Sequence, residues 1–141
     1  MSSRMLVGQH VEHNARRFPE KVALREAHGR EWTYAELNAF ANRAAHALRA
    51  TGIGHGDKVG MLCVNRNQYV EAYFATAKLG AIFVPLNFRA KANELVHMVE
   101  SAELTLVFAD ERYLDLVAEV RSLVTRELKV IGVDDAGPDG Y

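Results

Sequence analysis

The stretch from Tyr69 to Arg89 constrains the fold more than any other, because it holds a helix, a stop, a strand and a second stop in one short run. Val70, Tyr73, Phe74 and Ala77 fall on one helical face, and Tyr69, Ala72 and Leu79 fill most of the remainder. Gln68, Glu71 and Lys78 form a narrow polar stripe at helical spacing, which predicts a helix buried against neighbours with one edge wet. Gly80 follows the last periodic residue and can take the left-handed conformation that closes a helix. Ala81–Val84 reads as a short buried strand, and Pro85, which donates no ladder hydrogen bond, turns the chain out of the sheet at Leu86 and Asn87.

The rest of the chain extends this pattern. Helical spacing runs from Met5 to Arg17, with Val7, Val11, Ala15 and Phe18 on one face and Pro19 at the end. Residues 21–27 and 30–32 are extended runs around His28-Gly29, a hairpin turn. Thr33 with Glu36 forms a capping-box pattern opening a helix whose apolar face is Leu37, Phe40, Ala41, Ala44 and Leu48; His46 falls on the wet side. Beyond the glycines at 52–56 come a strand over 58–64, the central helix and strand, and a helix over 93–102 with Leu95, Met98, Val99 and Ala102 inward. A strand over 104–108 follows, then a helix that Asp110 can cap and that carries Tyr113, Leu116, Val117, Val120 and Val124. A strand over 128–133 precedes a loop or tail at 134–141. Such alternation predicts an α/β fold, a layered and mostly parallel sheet with helices on its faces.

Composition removes several classes of function. With 141 residues the chain is one domain's worth, 49% hydrophobic and 25% charged, which excludes a disordered or fibrous protein. Seventeen basic against eighteen acidic residues leave a net charge of -1, so nothing calls for nucleic acid as a partner. Cys63 is the only cysteine and cannot form an internal disulfide; it lies in the apolar run 59–64 as an inert core residue rather than a reactive thiol. No apolar run is long enough to span a bilayer and the first residues lack a signal-peptide pattern, so the expected compartment is the cytoplasm.

Four groupings invite a chemical reading and each has a plainer one. His10 and His13 are spaced to share a metal, but no third ligand follows, and a solvated helix face explains them. The run Gly52-Ile53-Gly54-His55-Gly56-Asp57 resembles a phosphate loop in composition, yet it leaves a helix and enters a strand, so helix termination and a turn fit its order better. His55 and Asp57 are close enough for an acid–base pair or for two solvated turn residues. Asp134 and Asp135 suit a divalent cation or a solvated acidic loop.

Lys78-Leu79-Gly80-Ala81-Ile82-Phe83-Val84-Pro85-Leu86-Asn87 resembles the second core motif of the adenylate-forming, or AMP-binding, superfamily, and Trp32-Thr33-Tyr34-Ala35-Glu36-Leu37 resembles the first. The continuation Pro85-Leu86-Asn87-Phe88-Arg89 is similar to the acyl-CoA synthetase form rather than that of peptide-synthetase domains. The resemblance covers roughly residues 6–135. It implies an incomplete N-terminal subdomain, part of the large N-terminal domain of a carboxylic acid, in the first place fatty acid, to CoA ligase working through an acyl-adenylate. The complete family enzyme uses ATP, magnesium and CoA, which the family handles with a Ser/Thr/Gly-rich loop ending in lysine, an adenine-pocket aromatic, a ribose-binding aspartate and a lysine on a mobile C-terminal domain. None of these motifs is present, so no catalytic, cofactor-binding or metal residue is carried over and no cofactor is expected for this chain alone. The expected partner is the remainder of the ligase. A second reading is a self-associating module that buries its own sheet edge, and a third, a free-standing nucleotide binder, rests only on the glycine run.

Overall fold

The structure is a computed structural model describing residues 5–27 and 29–133. It divides into two compact units, one made of the residues up to Gly54 with Arg66–Gly80, the other of His55–Asn65 with the residues from Ala81 onward.

The first unit holds helix α1 (Val7–Arg17), an antiparallel hairpin of β1 (Val22–Arg25) and β2 (Glu31–Thr33), and helices α2 (Tyr34–Ala50) and α3 (Asn67–Lys78). The capping box forms as its residues dictate: Thr33 N–H donates to Glu36 Oε2 at 2.8 Å, and Glu36 N–H donates to Thr33 Oγ1 at 3.2 Å. At the other end of α2, Gly52 takes φ 90°, its N–H donates to the Arg49 carbonyl and the Ile53 N–H to the Leu48 carbonyl. This is a Schellman closure with Ile53 buried beneath it, so the first glycine of the run is spent on ending a helix.

The buried face of α3 differs from the expected one. Ala72, Ala75, Thr76 and Glu71 are buried, while Tyr73 is 39% exposed. The face turned inward is the one with small side chains. Neighbouring helices come close to this part of the unit: a Cβ built on Gly8 of α1 would stand 2.9 Å from the Lys78 backbone nitrogen. Counting apolar residues favours the bulkier face, whereas close backbone approach favours the smaller one. The polar stripe is correspondingly not all wet. Glu71 is buried and accepts a hydrogen bond from Asn67 Nδ2 at 2.8 Å.

The second unit is a four-stranded parallel sheet, order β4-β3-β5-β6, made of β3 (Lys58–Leu62), β4 (Ile82–Pro85), β5 (Leu106–Asp110) and β6 (Lys129–Val133). Helices α4 (Ala92–Ala102) and α5 (Leu114–Leu123) share a core with it, in which Leu95 and Val99 of α4 and Val117 and Val120 of α5 meet Leu62, Val107 and Ala109. This is the layered α/β arrangement that the alternation predicts. Every residue of β5 is buried, as expected of a central parallel strand. Gly60 in β3 packs closely, since a Cβ there would lie 2.8 Å from Leu104 Cδ1 and that side chain would have to shift.

Two strand expectations are corrected. The strand after Gly80 is not buried: Ile82 is 49% exposed, and among the described strands β4 lies at the sheet edge and pairs with β3. An edge position also explains why Pro85 is tolerated within it. The next strand begins at Leu106 rather than at 104, because Leu104 is spent on closing α4. Its N–H donates to the Val99 carbonyl while Glu103 takes a left-handed conformation at φ 55°. Among the described residues no helix is long and apolar enough to cross a membrane.

Candidate functional site

In open parallel sheets ligands meet the carboxyl ends of the strands, where the strand order reverses. Here the chain passes from β3 to β4 on one side and then to β5 on the other, so the reversal lies between β3 and β5. Cys63 follows β3 and Asp110 ends β5, both buried. Cys63 Sγ donates to Asp110 Oδ2 at 3.7 Å, while Asp110 Oδ1 accepts from the Arg112 N–H at 3.3 Å and from Arg112 Nε at 3.2 Å. Asp110 acts as the cap of a single 3-10 turn over Glu111–Tyr113, the role that its place after an apolar strand predicts, though for a shorter helix. The reversal point is thus closed by this chain's own side chains. Cys63 is a buried free cysteine, as its place in an apolar run predicts.

Outside this closed point lies an exposed cluster. The loop after β4 carries Phe88, 40% exposed, with the Arg89 guanidinium 5.6 Å from its ring centre. Tyr113, next to the anchored Arg112, brings its ring to 6.4 Å from that of Phe88, tilted by 37°. Asn87 shapes the loop, since its Oδ1 accepts from the Arg89 N–H at 3.0 Å and its carbonyl from the Ala90 N–H. No carboxylate among the described residues pairs with Arg89, whereas Arg112 is held by Asp110 and keeps 60% of its side chain exposed. An aromatic pair with the Arg89 guanidinium beside it suits a planar ring system that carries phosphate. Sequence reasoning did not assemble this cluster, because its members come from separate loops; the exposed pair Phe88-Arg89 directly after Pro85 was the available signal.

His10, His13 and His46 lie exposed on α1 and α2, and His55 is exposed in the turn before β3. Asp57 is partly buried there, its carbonyl accepting from the Ile82 N–H at 2.7 Å. No group of three or more His, Cys, Asp or Glu among the described residues could hold a metal ion. Asp134 and Asp135, His28 and the tail at 134–141 lie outside the described residues. Two side chains elsewhere have shifted titration. Burial pushes the Lys78 ammonium below the ordinary lysine value, and hydrogen bonds from the Thr125 N–H and hydroxyl hold Glu100 below the ordinary carboxylate value.

The AMP-binding enzyme family matches residues 11–140. The chain is 40% identical over 125 residues to a 3-oxocholest-4-en-26-oate–CoA ligase of Rhodococcus rhodochrous, an overlap of 89% of this chain and 22% of that enzyme. It is 36% identical over 131 residues to a medium/long-chain-fatty-acid–CoA/3-oxocholest-4-en-26-oate–CoA ligase of Mycolicibacterium smegmatis, covering 93% of this chain and 24% of that enzyme. Among solved structures, a Mycobacterium tuberculosis fatty acyl CoA synthetase superposes with a TM-score of 0.82 at 29% identity, over 91% of this chain and 26% of the other. The chain therefore spans about a quarter of the length of the relatives it matches.

Proposed function

The chain belongs to the AMP-binding enzyme family, and from that premise we propose that it is the N-terminal, scaffold-bearing part of an ATP-dependent ligase joining a carboxylic acid to CoA through an acyl-adenylate. A fatty acid is the substrate class favoured, since one of the relatives is named for medium- and long-chain fatty acids. In such a reaction the substrate carboxylate attacks the α-phosphate of ATP, pyrophosphate leaves, and the thiol of CoA then displaces AMP from the acyl carbon. Magnesium, when bound, would neutralise charge on the departing pyrophosphate. The described residues do not fit a magnesium site, and their glycine-rich turn sits at the wrong end of a helix for a phosphate. We assign ATP and the metal to the remainder of the ligase, the partner of this chain, and expect the chain alone to be inactive. We propose the cytoplasm as its compartment.

The observation that carries the CoA part of this reading is the cluster of Phe88, Tyr113 and Arg89, which pairs with no carboxylate among the described residues. CoA ends in an adenine with a ribose phosphate, so one ring can stack while a guanidinium meets the phosphate. Titration of CoA into the 141-residue chain, followed by amide NMR, tests it: resonances of residues 87–90 and 112–113 move, and Phe88→Ala with Arg89→Ala removes the movement. Perturbation spread evenly over the chain, or none, contradicts the assignment. A second reading, self-association, is favoured by the exposed Ile82 on edge strand β4. Light scattering that finds a monodisperse monomer would exclude it.

A further inference from the structure

Phe18 stands at the corner where α1 gives way to the hairpin, and the backbone of that corner is tied down. The Phe18 N–H donates to the Asn14 carbonyl at 2.7 Å, and the Phe18 carbonyl accepts from the Lys21 N–H at 3.1 Å. The carbonyls of Pro19 and Lys21 accept from the Ala35 and Tyr34 N–H groups of α2 at 3.1 and 3.0 Å. This anchored corner nevertheless leaves the Phe18 ring 43% exposed, and Val22, a little further on, 38% exposed. Two cations lie over the ring: the Arg17 guanidinium is 5.1 Å and the Lys21 ammonium 5.7 Å from its centre. Neither pairs with a carboxylate among the described residues, whereas Arg16 is held by Glu12 and Arg25 by Glu31. A single exposed apolar side chain is ordinary. What sets Phe18 apart is its pair of cations, since every other ring–cation contact among the described residues involves one.

We propose that this corner is a contact site for the surface of an anionic bilayer. The Phe18 ring enters the headgroup zone while Arg17 and Lys21 keep their charges at the level of the lipid phosphates, an arrangement that satisfies the apolar and the charged groups together. A protein partner fits less well, because lysine is depleted in protein interfaces and one ring makes a small interface core. Glu20, exposed in the same turn, opposes the attraction. One ring and two cations therefore give reversible binding rather than a stable anchor. The inference goes beyond the ligase reading and does not depend on it, since the corner shares no residue with the Phe88 cluster.

Flotation of the 141-residue chain with vesicles of phosphatidylcholine alone, and of phosphatidylcholine mixed with phosphatidylserine, tests the proposal. The bound fraction is expected to be severalfold higher on the phosphatidylserine vesicles and to fall as salt is added. Phe18→Ser, and Arg17→Gln combined with Lys21→Gln, are each expected to lower it severalfold, and Glu20→Gln to raise it. All four side chains are exposed, so the variants should unfold in urea at close to the wild-type midpoint. Glu20→Gln also keeps the ring and both cations, and so reads the charge at this corner without touching its packing. Absence of binding, equal binding to the two vesicle types, or charge-dependent binding that these variants leave unchanged overturns the proposal; the last result would assign the contact to another surface of the chain. None of these outcomes depends on ligase activity or on CoA docking at the aromatic cluster.

Discussion

The carboxylate of Glu26 accepts a hydrogen bond from the backbone N–H of Asn67 at 3.2 Å, across 41 positions of sequence. Asn67 is the first residue of α3, and Arg66 before it gives no side-chain cap. The hairpin thus supplies, from a distance, the acceptor that a helix start requires, and a negative charge where the helix dipole favours one.

Glu26→Ala is therefore expected to destabilise the chain by about 1 kcal/mol, the usual cost of losing a cap. Urea unfolding reads this as a lower midpoint with an unchanged slope. An unchanged midpoint would mean that water replaces the carboxylate without loss.

Glu103 closes α4 at φ 55°, where a side chain is strained and glycine is not. Glu103→Gly should raise stability by about 1 kcal/mol, the strain relieved outweighing the added freedom of the unfolded chain. Thermal melting shows the sign, and a lower Tm would contradict it.

Glu100 gives the chain an acid-sensitive tie. Its Oε1 accepts from the Thr125 N–H at 2.5 Å and from Thr125 Oγ1 at 2.9 Å, and these bonds lower its pKa in the folded state. A depressed folded pKa contributes stability above the unfolded value, about 4.3, and that contribution is lost as pH falls through the lower, folded value. Glu100→Gln should flatten the fall of stability below that pH while leaving its shape near neutrality unchanged. Chemical unfolding across the acid range checks this, and identical acid limbs for the two proteins would refute it.

Local signals were the legible part of the fold. Thr33 and Glu36 cap α2 in the sequence and in space because the two partners are three residues apart. Gly52 and Gly80 close helices because a positive φ leaves few other choices. The inward face of α3 was not legible, since Ala72, Ala75 and Thr76 are buried for their small size rather than their hydrophobicity. The edge position of β4 was hidden too, because strand order is set by which strands pair and not by the letters of one strand. The cluster of Phe88, Arg89 and Tyr113 needed both facts, strand order and loop placement, before its members could be recognised as neighbours.

The central claim is that this polypeptide contributes scaffold and a CoA-facing edge to a ligase whose ATP chemistry resides elsewhere. ATP–pyrophosphate exchange measured on the 141-residue chain with fatty acids and magnesium addresses it most directly. Exchange no faster than a protein-free control is the expected result. Sustained, acid-dependent exchange by these residues alone would show that they hold the adenylating machinery and would contradict the account.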